Sequence, residues 1–213
     1  MSYPVYTRAE RIADVAIHVL GVGAALFGVS LIFSNMSENL AGPSYVAACI
    51  YAMALVTMLT ASATYHIAAY TPARPILRRI DHAAIYFKIA GTFTPLSVVL
   101  NTTFGYVVLA FVWALALWGA GSKLMAERGK MTTGWLPYVA LGWIGVALFV
   151  PLVTVLPVYT LALVAAGGLL YTAGVVFYSW EGLRYANAIW HGFVLIASGC
   201  LFFAVSTALA VAG

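Results

Sequence analysis

Histidine and acidic side chains recur at matching positions inside long apolar stretches of the sequence. Three pairs with a spacing of four residues each contain a histidine: Asp14 and His18, Ser62 and His66, and Asn187 and His191. Residues four apart share one face of a helix, so each pair would form a polar stripe. Histidine is the commonest metal ligand, and catalytic zinc typically has three protein ligands and an open position. His66 and His191 with a third donor would fit such a site, where Asp81 could accept a proton from water.

These side chains also lie at one depth relative to the basic residues that flank the apolar stretches. His18, His66 and His191 are each seven or eight residues from the nearest flanking arginine, and Asp81 is two residues from Arg79. At about 1.5 Å of helix rise per residue, all four lie within roughly 12 Å of that end. Ionisable groups inside a membrane are costly and usually face the bundle interior. Their gathering at one depth favours a functional site over isolated hydrogen bonds between helices.

Two further ionisable residues share the third apolar stretch with Asp81. Lys88 follows Asp81 by seven residues and therefore lies on the same helix face. We expect its amine to extend toward the cytoplasm or to pair with Asp81 or Asp14. His82, next to Asp81, points to a different face, and we interpret it as structural.

The elements that carry these residues are predicted to be transmembrane helices. The chain has 213 residues, of which 64% are hydrophobic and 8% charged, whereas a soluble domain carries about 25% charged residues. This composition excludes a soluble enzyme, a disordered chain and a nucleic-acid-binding protein, despite a net charge of +4. A membrane crossing needs about 20 apolar residues. The stretches that qualify are 12–34, 44–69, 80–100, 104–122, 134–156, 158–179 and 187–211. We predict an all-α membrane protein, a seven-transmembrane-helix bundle that forms one domain over residues 1–213.

The basic residues predict the orientation of this bundle. With seven crossings, nine of the ten Lys and Arg residues fall on the side that carries the N-terminus, and the tenth is Lys88 within a span. Cytoplasmic loops are enriched in Lys and Arg. The N-terminus is therefore predicted in the cytoplasm and the C-terminus outside.

Several segments resemble a known family in both order and spacing. Residues 62–66, 81–95 and 188–195 read SATYH, DHAAIYFKIAGTFTP and AIWHGFVL, and residues 10–21 read ERIADVAIHVLG. They resemble the motifs of the haemolysin III family of bacterial membrane proteins. That family is related to the progestin and adiponectin receptor (PAQR) group and, more remotely, to alkaline ceramidases. The resemblance implies seven helices with a cytoplasmic N-terminus, in the bacterial inner membrane.

The resemblance also implies a zinc ion near the cytoplasmic side. His66 and His191 would be ligands, Ser62 is the serine of the same motif, and Asp81 would lie near a metal-bound water. The related receptors take a further ligand from a histidine four residues before the equivalent of His191, and Asn187 occupies that position here. Three outcomes stay open: Asn187 or water completes a weaker site, another group such as His18 or Asp81 substitutes, or the metal has been lost.

The leading functional hypothesis is metal-dependent hydrolysis of a lipid amide or ester. Asp81 would shuttle the proton, and Ser62 would donate a hydrogen bond to the oxyanion or to water. The alternative is a non-catalytic sensor of membrane lipid in which the metal is structural or lost. Membrane lysis lacks a recognisable pore-forming feature, and a b-type haem held by two histidines is the remaining hypothesis. The expected partner is a membrane lipid, and no nucleic-acid partner is expected.

Overall fold

Helices make up the described part of the chain, and it contains no strand. The structure is a computed structural model that describes residues 6–36, 40, 42–127, 131, 134–180 and 182–212. The helices are α1 (Arg8–Met36), α2 (Gly42–Ile67), α3 (Arg74–Leu100), α4 (Thr103–Leu124), α5 (Leu136–Trp143), α6 (Gly145–Leu152), α7 (Val158–Tyr178) and α8 (Ala186–Ala212). Six of them, α1 to α4, α7 and α8, are long and apolar enough to cross a membrane. The prediction of an all-α membrane protein is confirmed.

Local sequence signals explain where the long helices begin. Pro75 lies in the first turn of α3, where its missing N–H costs nothing. The Thr102 hydroxyl accepts a hydrogen bond from the Gly105 N–H at 3.1 Å and caps α4. Helix α3 therefore starts at Arg74, six residues before the predicted span, and the arginines expected in a loop lie in its first turns. The apolar pattern misses these turns because they are charged.

The predicted fifth span, residues 134–156, differs most from expectation. Two short helices replace one long one, and they meet at Ile144 between Gly142 and Gly145. Glycine favours such a break because it lowers helix stability. A run of turns follows at residues 153–156. This segment is apolar but shorter than the helices that qualify as spans.

Helix α3 lies at the centre of the bundle. It packs against α2, α4, α5, α6 and α8. In an 18-residue stretch of α3, 78% of the residues are buried, compared with 28% for α1 and α7. Because α3 is surrounded, the polar side chains Asp81, Lys88, Thr92, Thr94 and Ser97 on it are buried.

The outer surface of the bundle is apolar. Large side chains such as Trp118, Phe27 and Val158 are exposed by 76%, 66% and 81%. Soluble monomers rarely expose apolar surface on this scale. Together with the six long apolar helices, this surface identifies an integral membrane protein.

Glycines allow α3 to pack closely against two of its neighbours, α2 and α4. A Cβ added at Gly91 would lie 2.5 Å from the Cβ of Ala54 on α2, and one at Gly119 of α4 would lie 2.5 Å from the Tyr86 ring. Small residues let helix backbones pack closely without a hydrophobic driving force. The distance between α2 and α3 thus depends on the absence of a side chain at Gly91.

We expect Gly91→Ala to destabilise the protein, since its Cβ would overlap Ala54 and force α2 and α3 apart. Overpacking of this kind costs about 1–3 kcal/mol. Denaturant unfolding in detergent micelles measures the change in the free energy of unfolding. Gly23→Ala is the matched control, because a Cβ there has no neighbour within 4 Å. Equal stability of the two variants would contradict the close approach.

Candidate metal centre

Three imidazoles from three helices meet at one end of the bundle. The ring centroids of His18 on α1 and His66 on α2 are 4.6 Å apart. The ring centroid of His191 on α8 lies 4.2 Å from that of His18 and 4.5 Å from that of His66. The triangle they form is nearly equilateral. Histidines far apart in sequence thus face a common point.

Asp14 is the fourth member of the group. Among the described residues, it is the carboxylate that lies close to all three imidazoles. Its Oδ2 accepts a hydrogen bond from His66 Nδ1 at 2.8 Å. Its Oδ1 is 3.5 Å from His191 Nδ1 and 3.7 Å from His18 Nδ1. Oδ1 is buried and has no hydrogen-bond partner. A buried carboxylate oxygen without a partner is costly, and a cation would remove that cost.

The hydrogen bonds determine which ring nitrogens are free. The Nδ1 atoms of His18 and His191 lie 2.6 Å and 2.8 Å from the backbone carbonyl oxygens of Asp14 and Asn187. His66 Nδ1 faces the Asp14 carboxylate. Carbonyl and carboxylate oxygens only accept, so each Nδ1 carries the proton and each Nε2 keeps a lone pair. Metal-binding histidines show this arrangement, in which the second nitrogen donates to an oxygen.

Ser62 bridges two of the free nitrogens. Its buried hydroxyl is 3.2 Å from His18 Nε2 and 3.4 Å from His191 Nε2. A hydroxyl has one proton and can donate to only one of them at a time. The motif serine is therefore in direct contact with the imidazoles.

Glu10 aligns the two helices that carry His18 and His191. Thr7 and Glu10 form a capping box, in which the Thr7 N–H donates to Glu10 Oε2 at 2.9 Å and Thr7 Oγ1 accepts from the Glu10 N–H at 3.3 Å. The other oxygen, Oε1, accepts from the Tyr185 N–H at 3.1 Å. One side chain thus links the start of α1 to the turn before α8.

Asp81 lies outside the imidazole group but lines the same cavity. It is buried on α3, with Oδ2 3.4 Å from His82 Nδ1. The structure therefore brings His66, His191 and Ser62 together, whereas Asp81 contacts His82 and shares only the cavity with them. The catalytic roles of Asp81 and Ser62 stay predictions.

Asn187 makes two contacts near the site. Its backbone carbonyl accepts from His191, and its side-chain Nδ2 donates to the Tyr6 hydroxyl at 2.9 Å. Burial raises the pKa of Tyr6 above its usual value, so the phenol stays neutral. The role of Asn187 as a metal ligand stays a prediction. His18, the substitute considered from the sequence, is in the imidazole triangle.

Asp14 is the member that sequence reasoning did not assign to the site. Its spacing of four from His18 was the available signal, and a pairing with Lys88 was one of the alternatives that the sequence left open. That pairing is absent from the described structure, where Lys88 Nζ donates to the Tyr171 hydroxyl at 2.7 Å. Asp14 faces the imidazoles from the other helices.

A cavity of about 790 Å³ extends from the imidazoles into the bundle. Asp14, Ser62, His66, Asp81 and His191 line one part of it. Apolar side chains line much of the remainder, among them Phe93, Leu96, Leu148, Phe149, Leu152 and Leu201. Ligand-binding cavities commonly have volumes of about 300–1,000 Å³ and mostly apolar walls.

The donor set fits a metal ion. One ligand atom from each of Asp14, His18, His66 and His191 lies within 4.8 Å of all the others. Imidazole suits zinc, copper, iron and nickel, and the Nε2 atoms of His18 and His191 both lie within 3.4 Å of the Ser62 hydroxyl, on the side where their lone pairs are free. The group could therefore bind a metal, as the motif histidines predicted.

Comparison with known proteins places the chain in a family. The family described as "Haemolysin-III related" matches residues 7–202. The chain belongs to the haemolysin-III related family. It is 32% identical to "Hemolysin-3" of Bacillus cereus over 197 residues, which cover 92% of this chain and 90% of the relative. The "Hemolysin-3 homolog" of Bacillus subtilis is 32% identical over 203 residues, 94% of each protein. These matches confirm the resemblance drawn from the motifs.

A more distant relative extends the comparison beyond bacteria. The human "Monocyte to macrophage differentiation factor" is 26% identical over 208 residues, which cover 92% of this chain and 83% of that protein. The similarity thus covers most of this chain and most of the human protein.

We expect the purified protein to bind a transition metal, and His66→Ala and His191→Ala to lose it, because each removes an imidazole of the triangle. Elemental analysis measures the metal content per chain. His82→Ala is the matched control, since His82 lies outside the four-residue group. His18→Ala and Asn187→Ala compare two of the possible third donors, and the geometry favours a larger loss for His18→Ala. A larger loss for Asn187→Ala would instead make Asn187 the ligand.

Proposed function

We propose that this haemolysin-III related protein is a zinc-dependent hydrolase of a lipid amide or ester. The observation that carries the proposal is the set of three imidazoles and a carboxylate, of which Asp14, His66 and His191 line the polar part of a large apolar cavity. A hydrolase for lipids needs a site that activates water and a wall that accepts acyl chains. The cavity joins the two.

The ligands proposed for zinc are His66, His191 and one further donor. His18 is favoured as that donor because its ring contacts both other imidazoles. Asn187 is the alternative that the family motif suggests. Asp14 would orient His66 through the hydrogen bond to Nδ1, which is the usual role of a carboxylate behind a metal-binding histidine.

Protein groups in the cavity would handle the proton and the developing charge. Bound zinc would supply Lewis-acid polarisation of the substrate carbonyl and make a water molecule more acidic. Asp81 would accept the proton of the attacking water and pass it to the leaving amine or alcohol. Ser62 would donate its hydroxyl hydrogen to the carbonyl oxygen as negative charge develops there. The products would be a fatty acid and an amine or alcohol.

A membrane lipid is the proposed partner, because the cavity lies within helices that are apolar on their outer surface. Phe93, Leu148 and Leu152 would contact the acyl chain. The reactive carbonyl would lie at the imidazoles, where Ser62 and His191 line the same cavity. The apolar cavity walls would also exclude bulk water from the acyl chain of the lipid.

A lipid sensor without turnover is the second candidate. The observation that favours it is the position of Asp81 outside the four-residue group. In a sensor the metal would hold α1, α2 and α8 together, and lipid in the cavity would change their packing. A sensor would bind lipid without converting it, so measuring lipid hydrolysis distinguishes the sensor from the hydrolase.

We further propose that the chain crosses the bacterial inner membrane seven times, with the N-terminus in the cytoplasm and the C-terminus outside. Helices α5 and α6 together would span about 25 Å at 1.5 Å per residue, and the hydrocarbon core is about 30 Å thick. The turns at 153–156 would add the remaining length. Seven crossings put nine basic residues on the side of the imidazoles, in accord with the enrichment of Lys and Arg in cytoplasmic loops.

We expect the zinc-loaded protein to release fatty acid from an N-acyl amide such as a ceramide, and Asp81→Asn to slow release by about 100-fold or more, because proton transfer contributes 10²–10⁴. Mass spectrometry of the released acid and elemental analysis of the same samples are the measurements. Glu127→Gln, the same change outside the cavity, is the control. If the protein has full metal content but hydrolyses none of a panel of amides and esters, the result contradicts the hydrolase proposal and supports the sensor function.

Topology is tested separately with reporters fused after Gly213. An odd number of crossings places this end outside, so we expect alkaline phosphatase fused there to be active and green fluorescent protein to be dark. A fluorescent fusion would show a cytoplasmic C-terminus and exclude seven crossings with a cytoplasmic N-terminus.

A further inference from the structure

A second polar site lies deeper in the cavity, around Lys88. Lys88 is the fifteenth of the 27 residues of α3 and is 4% exposed. A charged side chain near the middle of a membrane-spanning helix is costly and is retained where it has a partner or a function. The proposed hydrolysis uses no group at this depth.

The Tyr171 hydroxyl holds the lysine amine in place, and Ser198 contacts that hydroxyl in turn. Lys88 Nζ donates to the Tyr171 hydroxyl at 2.7 Å and lies 4.3 Å from the centre of the Tyr171 ring. Since Tyr171 accepts from the lysine, its own proton is available to Ser198 Oγ, 2.6 Å away. These contacts position the amine but supply no negative charge.

The charge of Lys88 is not balanced within the described structure. Tyr171 is its one polar partner there, and Asp14 and Asp81, the two carboxylates that the sequence suggested as partners, face histidines. An ammonium has three N–H donors, and Tyr171 uses one. A buried charge without a counter-ion is unfavourable, so an anion that reaches Lys88 would be stabilised.

The site is separate from the imidazoles along two helices. Lys88 lies seven residues beyond Asp81 on α3, and Ser198 lies seven residues beyond His191 on α8. Seven residues correspond to about 10 Å of helix. Lys88 and Tyr171 therefore line a different part of the same cavity.

The walls next to Lys88 suit an alkyl chain. Further along the cavity face of α3 lie Thr92, Phe93 and Leu96, and Leu152 of α6 lines the cavity as well. An acidic group at Lys88 would thus adjoin apolar surface. A molecule that combines the two features is a single-chain amphiphile with an acidic head.

We propose that Lys88, positioned by Tyr171 with Ser198 behind it, binds the anionic head of a single-chain amphiphile, a carboxylate or a phosphate, whose alkyl chain occupies the cavity. Lys88 donates to the anionic oxygens, and Tyr171 positions the amine. Binding at this site goes beyond the proposed hydrolysis, because it requires neither the metal nor turnover.

Matched acidic and neutral probes test the site in detergent-solubilised wild-type protein. Palmitate is compared with palmitamide, and lysophosphatidate with the monoacylglycerol of the same chain. Hydrogen bonds to charged groups contribute enough for roughly tenfold or greater preference. We expect at least one acid to bind about tenfold more tightly than its neutral counterpart. The pair that shows the preference identifies carboxylate or phosphate as the head.

Variants assign the preference to Lys88. Lys88→Met keeps a straight apolar chain without the charge and should abolish the preference, whereas Lys88→Arg should keep it. His66→Ala should also keep it, which separates this site from the metal centre even if the protein proves to have no hydrolase activity.

Three results would overturn the proposal: equal binding of both acids and their neutral counterparts by the wild type, a preference that persists in Lys88→Met, or a preference lost in His66→Ala. The last would place the acid at the imidazoles. The wild-type comparison needs no variant, so equal binding there overturns the proposal even if Lys88→Met fails to fold.

Discussion

The contact between the Asp14 carboxylate and the imidazoles is the constraint on which the site depends. Burying a carboxylate is costly unless hydrogen bonds or cations compensate it. His66 supplies one hydrogen bond at 2.8 Å, and His191 approaches the other oxygen at 3.5 Å. Since these groups come from α1, α2 and α8, the compensation requires all three helices to be in place. Helix α1 buries little of its surface, so this polar contact contributes specifically to its position.

Helix α3 organises the rest of the cavity. It is surrounded by other helices, and its close approach to α2 relies on Gly91. The face of α3 that lines the cavity carries Asp81 and Lys88 two turns apart. A single buried helix thus presents an acid near the imidazoles and a base further in. The order of polar and apolar groups along the cavity follows from the sequence of that one face.

The depth of each polar side chain along its helix could be predicted from the sequence. Which neighbouring helix that side chain faces could not. Counting residues from the arginines placed His18, His66 and His191 at one level, and their rings are in contact. The spacing of Asp14 and His18 showed a shared face but not which neighbour that face meets. Helix packing angles decide this, and they arise from contacts such as that of Gly91 with Ala54. The break at Ile144 was also missed, because both halves are equally apolar.

The shared carboxylate at the start of α1 has a geometric consequence. Glu10 caps α1 with one oxygen and receives the Tyr185 amide with the other. His18 follows Glu10 by eight residues, and His191 follows Tyr185 by six. The heights of both imidazoles along their helices are therefore set by their spacing from the same side chain, Glu10. An insertion before either histidine would rotate and raise one ring while the other stayed fixed, so the lengths of these two short segments are as much a part of the site as the side chains.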